Sequence, residues 1–246
     1  DIATLGLWGP KAVNALGNFI DPGEIDISNF PFVTAKNLTL NLSGGKKVDV
    51  WAARISYVGE SGWEIYFNNN KEDGLAIYDS LLEFGVVPVG IETYANSRRL
   101  EKSFRLQGAD LETEYTAIEA AIQRPLVKEA DFHGKAAHLS QRDEDPCAIL
   151  CTMTLDDLNV SGITRYPVGI SPIIDPVTGE VPIDSKGRRS YTTGMSYCPS
   201  LKKFVVMGYL PKEIAVKGKS LLIEYFDEGG DGLYPMTVQI VGKGSL

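Results

Sequence analysis

The sequence predicts an α+β fold with two domains, and three observations support this prediction. The first 142 residues mix short strand-like segments with helix-like ones, whereas the segments that follow are almost all strand-like. A charged run that ends in proline, SQRDEDP, separates the two regions at residues 140–146. The chain has 246 residues, 43% of them hydrophobic, which suits one large domain or two ordinary ones. We therefore expect an α+β domain at 1–142 and an antiparallel β-barrel or jelly-roll-like domain at 143–246.

The N-terminal region begins with a predicted strand, Thr4–Trp8, and a helix with Pro10 at its first position. The alternating segment NLTLNL, the turn SGGKK and a strand at 48–57 follow. Because an apolar strand starts at residue 2, we expect that an upstream part of the domain is missing from this chain.

Two helices are predicted in the second half of this region. In the helix at 69–85, Gly85 provides the C-terminal cap, and four apolar residues follow helical spacing: Leu75, Tyr78, Leu81 and Leu82. The helix at 91–104 has a poor apolar stripe, and Arg99 shares a face with polar or small residues. Beyond residue 143, six strand-like segments alternate with Gly, Pro and Asp turns, as in a small sandwich or barrel.

Composition argues against several classes of function. The net charge of −8 and pI of about 4.9 argue against a nucleic-acid partner, which requires a basic surface. We expect no membrane span, because no apolar run approaches about 18 residues. Three cysteines and two histidines argue against a metal site, and the spacing of Cys147 and Cys151 does not match structural zinc. We expect reduced thiols, hence the cytoplasm or, in a eukaryote, the mitochondrial matrix.

The stretch YVGESGWE places an acid, Glu64, at the start of a strand rich in large apolar side chains. If residues 59–62 form a four-residue hairpin loop, Tyr57 and Glu64 are directly opposed and project from one face. A five-residue loop would break this pairing. Two interpretations remain open: an edge hairpin with Glu64 in solvent, or a ligand site. In a ligand site the carboxylate would accept hydrogen bonds from a planar donor pair, such as an aminopyrimidine ring.

Four motifs carry a resemblance to a known family: RISYVGESGWEIY, SRRLEKSFRLQGADLETEY, DFHGKAA and TTGMSYCPSLKKFVVMGYL. In this order they resemble the folate-dependent aminomethyltransferases, the T-protein of the glycine cleavage system. The segments ISNFPFVTAK and EFGVVPVGIETYANSRRLEK are more similar to the folate-binding C-terminal half of dimethylglycine and sarcosine dehydrogenases. The resemblance extends from about Leu5 to Val241 and implies an incomplete T-protein-like α/β folate-binding region followed by a β-barrel domain.

The resemblance also implies a function, tetrahydrofolate-dependent one-carbon transfer from a methylated amine or an aminomethyl donor. It implies that Tyr57 and Glu64 hold the pterin and that Arg99 belongs to the ligand site. For Arg99, an intrahelical or interdomain ion pair is the alternative. The aspartate that this family uses for proton transfer lies upstream of the GPKA helix. We therefore assign no catalytic residue and expect this chain to be inactive without its missing N-terminal part.

Two departures from the family pattern keep another function open. Arg98 stands where the family usually has an apolar residue, and TAIEAAI lacks the proline and glycine of the family's P-x-E-A-G segment, with Ala121 in place of the glycine. A non-catalytic folate-binding or regulatory module is the alternative that these departures favour. No GxGxxG motif follows a strand, so a flavin site, if the protein has one, lies outside this chain.

Overall fold

The computed structural model describes residues 1–123, 126–155, 169–227 and 230–244. The chain divides into two compact units, Asp1–Tyr94 and Ala95–Leu246. Both contain helices and antiparallel strands, as expected for an α+β protein. The division into domains 1–142 and 143–246 remains a prediction, and its boundary lies inside the second unit.

The first unit is built on a four-stranded antiparallel sheet. Its strands are β1 (Ile2–Trp8), β2 (Ala35–Asn41), β3 (Lys47–Ala53) and β4 (Gly62–Asn68). They lie in the order β1-β4-β3-β2. Side chains alternate between the two faces of each strand, and one face forms the core of the unit. Buried side chains from all four strands meet there, among them Leu7, Leu40, Val50, Ile65 and Phe67.

The helices of the first unit cover the core face of the sheet. They are α1 (Ala12–Leu16), α2 (Pro22–Ile25) and α3 (Lys71–Glu83), with a short 3-10 turn at Ser43–Gly45. The Asn70 side chain caps α3 by accepting a hydrogen bond from the Asp73 N–H at 2.7 Å. Gly85 follows α3 with φ of 90°, so the predicted C-terminal glycine is confirmed.

Three predicted helices differ in detail from those in the structure. In α3 the buried residues are Ile77, Ser80 and Leu81, so of the predicted stripe only Leu81 is buried. The other three members of that stripe are exposed: Leu75, Tyr78 and Leu82. Pro10 lies in the turn before α1 rather than at its first position. The predicted helix at 91–104 is a π-helical turn, Thr93–Arg98, that leads into the one-turn helix α4 (Arg99–Glu101).

The second unit contains helix α5 (Lys135–Asp143) and a curled six-stranded antiparallel sheet. The strands are β5 (Ala148–Leu155), β6 (Ile173–Ile174), β7 (Thr192–Cys198), β8 (Lys203–Pro211), β9 (Ser220–Asp227) and β10 (Gly230–Val241), in the order β6-β9-β10-β5-β8-β7. Backbone hydrogen bonds join the two edge strands, from the Ile173 N–H to the Ser190 carbonyl and from the Thr192 N–H to the Ser171 carbonyl. The sheet therefore closes on itself, which confirms the predicted C-terminal barrel-like architecture.

Candidate functional site

The face of the first sheet that points away from the core carries an acid among aromatic rings. We call it the aromatic face, and its residues are Trp8, Trp51, Tyr57, Glu64, Tyr66 and Tyr94. In β4, Glu64 and Tyr66 alternate with the buried Trp63, Ile65 and Phe67, so the period of the strand places both opposite the core. Glu64 is half-buried, which puts its carboxylate at the surface of the sheet and within reach of the surrounding rings.

Tyr66 and Trp51 hold one side of the Glu64 carboxylate. The Tyr66 hydroxyl donates a short hydrogen bond to Glu64 Oε2. Trp51 lies directly opposite Tyr66 in β3, and the two ring centroids are 5.0 Å apart. The hydrogen bond to the Glu64 carboxylate raises the pKa of Tyr66 to about 12, so the phenol keeps its proton at neutral pH.

Three stacked or tilted rings form the other side of the aromatic face. Tyr94 stacks on Trp8 with the ring centroids 5.1 Å apart, and the Tyr57 ring lies 5.4 Å from that of Tyr94. Gly6 is required here, because a Cβ at this position would lie 2.0 Å from the end of the Trp8 ring. Burial, followed by the charge of Glu64, raises the pKa of Tyr94. The charge of Glu64 therefore acts on tyrosines at both sides of the aromatic face.

The predicted register between Tyr57 and Glu64 is wrong. Strand β3 ends at Ala53, and the residue opposite Glu64 is Ala53, not Tyr57. The connection between β3 and β4 spans residues 54–61, rather than a four-residue loop. Tyr57 nevertheless reaches the aromatic face, because its ring packs against Tyr94.

Arg54 explains why β3 ends early. Its backbone bonds with Val33 and Thr34, on the β2 side of the strand. Its buried guanidinium donates from Nη1 to the carbonyls of Ile25 and Phe30, at 3.2 and 2.8 Å. These contacts bind the chain to the loop that precedes β2, so the sheet pairing cannot continue beyond Ala53.

The segment after Arg54 is fixed to the aromatic face from the side of β1. The Trp8 indole Nε1 donates to the Ile55 carbonyl at 3.0 Å, and the Gly9 N–H donates to the Ser61 carbonyl at 2.9 Å. Between these anchors, the Ser56 hydroxyl is buried and has no hydrogen-bond partner among the described residues. A buried hydroxyl beside Tyr57 without a partner is a polar group that a bound ligand can satisfy.

Arg99 lies in the second unit, within a buried ion pair. Its side chain is 1% exposed, and Nη1 donates a short hydrogen bond to Oδ2 of Asp110, which is fully buried. Nε donates to the Ala95 carbonyl at 2.9 Å, and Nη1 also reaches the Phe104 carbonyl at 3.0 Å. The guanidinium therefore ties the π-helical turn to the chain that follows α4.

Asp110 is the acceptor at the centre of this network. Besides Arg99, its carboxylate accepts a hydrogen bond from the Leu106 N–H at 2.8 Å and a short one from the Thr193 hydroxyl. A Cβ at Gly194 would lie 2.5 Å from Arg99 Nη2, so the barrel strand approaches the guanidinium closely. Arg99 therefore forms an ion pair, but Asp110 lies outside α4 and within the same unit, so the pair is neither intrahelical nor interdomain as the alternative had it.

The two departures from the family pattern have local explanations in the second unit. Arg98 pairs with Glu101 and donates to the Ser200 hydroxyl at 2.6 Å. Ala121 has φ of 54°, a left-handed conformation that favours glycine. The backbone therefore keeps the conformation that a glycine would adopt at this position.

Sequence reasoning missed four residues of the candidate site: Trp8, Trp51, Tyr66 and Tyr94. A signal for Tyr66 was present, because residues two apart in a strand share a face and Tyr66 follows Glu64 at that spacing. Tyr94 lies on the π-helical turn, a rare geometry that is frequent at functional sites but has no reliable sequence pattern.

No cluster of His, Cys, Asp or Glu that could hold a metal ion occurs among the residues that the structure describes. Within the same part of the chain, no helix has the length and apolarity needed to cross a membrane. Cys147, Cys151 and Cys198 are free thiols, and burial raises the pKa of Cys151 and of Cys198 to about 12.

Comparison with known sequences gives consistent matches. A family profile described as the GCVT N-terminal domain matches residues 1–129. Mitochondrial dimethylglycine dehydrogenase from Rattus norvegicus is 30% identical over 247 residues, which cover 97% of this chain and 25% of that protein. An aminomethyltransferase from Koribacter versatilis is 29% identical over 228 residues, which cover 89% of this chain and 53% of that protein. The chain thus spans about a quarter to a half of the length of these relatives.

Comparison with solved structures supports the same fold. The crystal structure of glycine cleavage system aminomethyltransferase T from Bartonella henselae superposes with a TM-score of 0.72 and 22% sequence identity. The match covers 100% of this chain and 61% of that one.

Proposed function

Because the chain belongs to the GCVT N-terminal domain family, we propose that it is the tetrahydrofolate-binding part of a one-carbon transferase. The transferred carbon comes from an aminomethyl group or a methylated amine. The names of the relatives, aminomethyltransferase and dimethylglycine dehydrogenase, support this class of donor. The remainder of the site belongs to parts of the protein outside this chain.

The observation that carries the proposal is a half-buried carboxylate on an aromatic sheet face. The reduced pterin of tetrahydrofolate is a flat ring whose 2-amino group and adjacent ring N–H form a planar donor pair. Glu64 offers acceptors of matching chemistry, and one of its two oxygens is already oriented by Tyr66. The stacked rings of Trp8 and Tyr94, with the tilted ring of Tyr57 beside them, offer an aromatic surface for a flat ligand.

The three residues named from the sequence take different roles in this proposal. Glu64 accepts the donor pair of the pterin, and Tyr57 packs against the ring or bonds to its edge. Arg99 remains a proposed folate-site residue, although its buried ion pair with Asp110 also fits a structural role within the second unit.

Bound tetrahydrofolate supplies the nitrogen atoms that accept the one-carbon unit, and this chain supplies orientation. Fixing a nucleophile in the correct geometry is one of the largest contributions that a protein makes to such a reaction. We propose that the protein works in a compartment that keeps thiols reduced, either the cytoplasm or the mitochondrial matrix. The three free cysteines support this placement.

The proposal is tested by calorimetric titration of the intact protein with 5-formyltetrahydrofolate, a stable reduced folate. Glu64→Ala removes a charged acceptor, and we expect the affinity to fall about 10- to 150-fold, or about 1.5–3 kcal/mol. Asp79→Ala is the matched control, because Asp79 is an exposed acid on α3, and we expect unchanged affinity. Unchanged affinity in Glu64→Ala would contradict the proposal.

Turnover distinguishes the proposed transferase from a non-catalytic folate-binding module. The intact protein is incubated with N-methylated amines and tetrahydrofolate, and the folate-bound carbon is quantified. A transferase produces folate-bound carbon in proportion to the amine consumed. Folate binding without such transfer, for any amine or aminomethyl donor, would instead identify the non-catalytic module.

A further inference from the structure

We infer that Tyr66 is a positioning residue that orients the Glu64 carboxylate for the pterin. This inference rests on the proposed function and goes beyond it, because it assigns a role to a residue that touches Glu64 rather than the reacting atoms. The hydroxyl holds Oε2 on the side of Trp51, which leaves the other oxygen directed away from Tyr66 for the ligand.

The pairing of the strands leaves the two positions directly opposite Glu64 without a polar side chain. The residue opposite Glu64 in β1 is Gly6, and the residue opposite it in β3 is Ala53. Neither has a polar side chain. Tyr66 lies two residues along the same strand, on the same face, and its hydroxyl reaches Glu64 Oε2. A long, flexible glutamate side chain otherwise has several accessible rotamers. Ordering that side chain on binding costs free energy and would lower the affinity for the ligand.

Tyr66 is itself held in place. It lies opposite Trp51 in the register of β3 and β4, with the rings inclined at 55° and their centroids 5.0 Å apart. Aromatic pairs across neighbouring strands stabilise a sheet and restrict side-chain rotation. Trp51 therefore restrains the Tyr66 ring, and the Tyr66 hydroxyl in turn restrains the Glu64 carboxylate.

The direction of this hydrogen bond has a consequence for ligand selection. The bond to Glu64 raises the pKa of Tyr66 to about 12, so the phenol is the donor of this bond at neutral pH. A carboxylate in this arrangement presents only acceptors to the ligand. It therefore selects a ring edge with two adjacent N–H donors and rejects an edge that offers a carbonyl oxygen.

A double-mutant cycle on the intact protein tests the inference, with the dissociation constant for 5-formyltetrahydrofolate as the readout. Tyr66→Phe removes only the hydroxyl, and we expect affinity to fall about 10-fold, the smaller end of the range for a bond to a charged group. In the Glu64→Ala background, the same substitution should change affinity by less than about 2-fold, because the group that Tyr66 orients is gone. Tyr78→Phe, which removes an exposed phenol from α3, is the control and should have no effect in either background.

The possible outcomes separate the inference from the proposed function. An equal loss from Tyr66→Phe in both backgrounds, or no loss in the parent, would overturn the positioning role. If Glu64→Ala alone leaves affinity unchanged, the proposed function itself fails. A general structural role for Tyr66 predicts a loss of affinity that persists in the Glu64→Ala background.

A second variant keeps the inference testable if Tyr66→Phe is poorly folded. Trp51→Leu retains the Tyr66 hydroxyl but removes the ring that restrains it. We expect a smaller loss of affinity than for Tyr66→Phe, again absent in the Glu64→Ala background. A loss from Trp51→Leu that is the same with and without Glu64 would contradict the proposed order of contacts.

Discussion

Breaking the buried ion pair between Arg99 and Asp110 should destabilise the second unit strongly. Both side chains are almost completely inaccessible, at 1% and 0% exposure, so removing one charge leaves the other without compensation in a medium of low polarity. Asp110→Asn keeps the shape of the side chain and removes its charge. Measured values for such changes are about 3–5 kcal/mol.

The size of the effect follows from the number of groups that depend on this pair. Asp110 also accepts hydrogen bonds from the Leu106 N–H and the Thr193 hydroxyl, so an amide in its place supplies one acceptor oxygen instead of two. Its NH2 group faces either the Thr193 hydroxyl, which can turn to accept, or the Leu106 N–H and Arg99, which cannot. For a chain of this length, about 3–5 kcal/mol corresponds to a fall in melting temperature of about 6–20 °C. Urea denaturation followed by circular dichroism measures the free energy directly.

An exposed ion pair in the same unit provides the control. Lys212 and Asp145 are 2.7 Å apart, but their side chains are 40% and 87% exposed. Lys212→Met should change the free energy of unfolding by less than about 1 kcal/mol. If Asp110→Asn also changes it by less than about 1 kcal/mol, the conclusion that burial makes the Arg99 pair structural is refuted.

Three further substitutions give distinct expected results. Gly6→Ala should weaken binding of reduced folate, because the new Cβ displaces the Trp8 ring, and calorimetry measures this. Ala121→Gly should raise the free energy of unfolding by about 0.5–1 kcal/mol in urea titrations, because Ala121 has φ of 54°. In Glu119, burial is the largest single influence and raises the pKa, but the hydrogen bonds from Arg188 and the Thr116 N–H and the charge of Arg188 together outweigh it, so the pKa lies below its ordinary value of 4.5. The stability lost in Glu119→Gln at pH 7 should therefore shrink as the pH falls below about 4.5.

Each of these expectations has a contradicting outcome. Gly90→Ala adds a methyl group in open space, so a loss of folate affinity equal to that of Gly6→Ala would exclude displacement of Trp8 as the cause. A destabilised Ala121→Gly variant would show that the left-handed conformation carries no strain. A difference for Glu119→Gln that is constant from pH 7 to pH 3 would show that the carboxylate is not stabilised by its charge.

The sequence predicted the family and the types of element well, since both depend on local patterns. The resemblance to the aminomethyltransferases is confirmed by the family profile and by the relatives. Periodicity and turn residues predicted the α3 helix, the glycine that follows its C-terminus and the strands of the barrel. These features are encoded in short stretches of chain, which is why they could be found without a structure.

The parts that sequence reasoning missed depend on contacts between distant residues. The end of β3 at Ala53 is set by Arg54 and by the carbonyls of Ile25 and Phe30, more than twenty residues away. On α3, Leu81 lies at helical spacing from Ile77 and also from Tyr78. Tertiary packing buries the side of the helix with Ile77 and leaves Tyr78 exposed. The ring of Tyr94 joins the aromatic face from a π-helical turn, a geometry that local propensity does not reveal.

The central claim is that Glu64 on the aromatic face binds the donor edge of a reduced pterin. A crystal structure of the intact protein with 5-formyltetrahydrofolate tests it directly. We expect the 2-amino group and the neighbouring ring N–H of the pterin at about 2.7–3.0 Å from the Glu64 carboxylate, beside the Tyr57 ring. A pterin bound elsewhere, with Glu64 contacting only solvent and Tyr66, would contradict the claim.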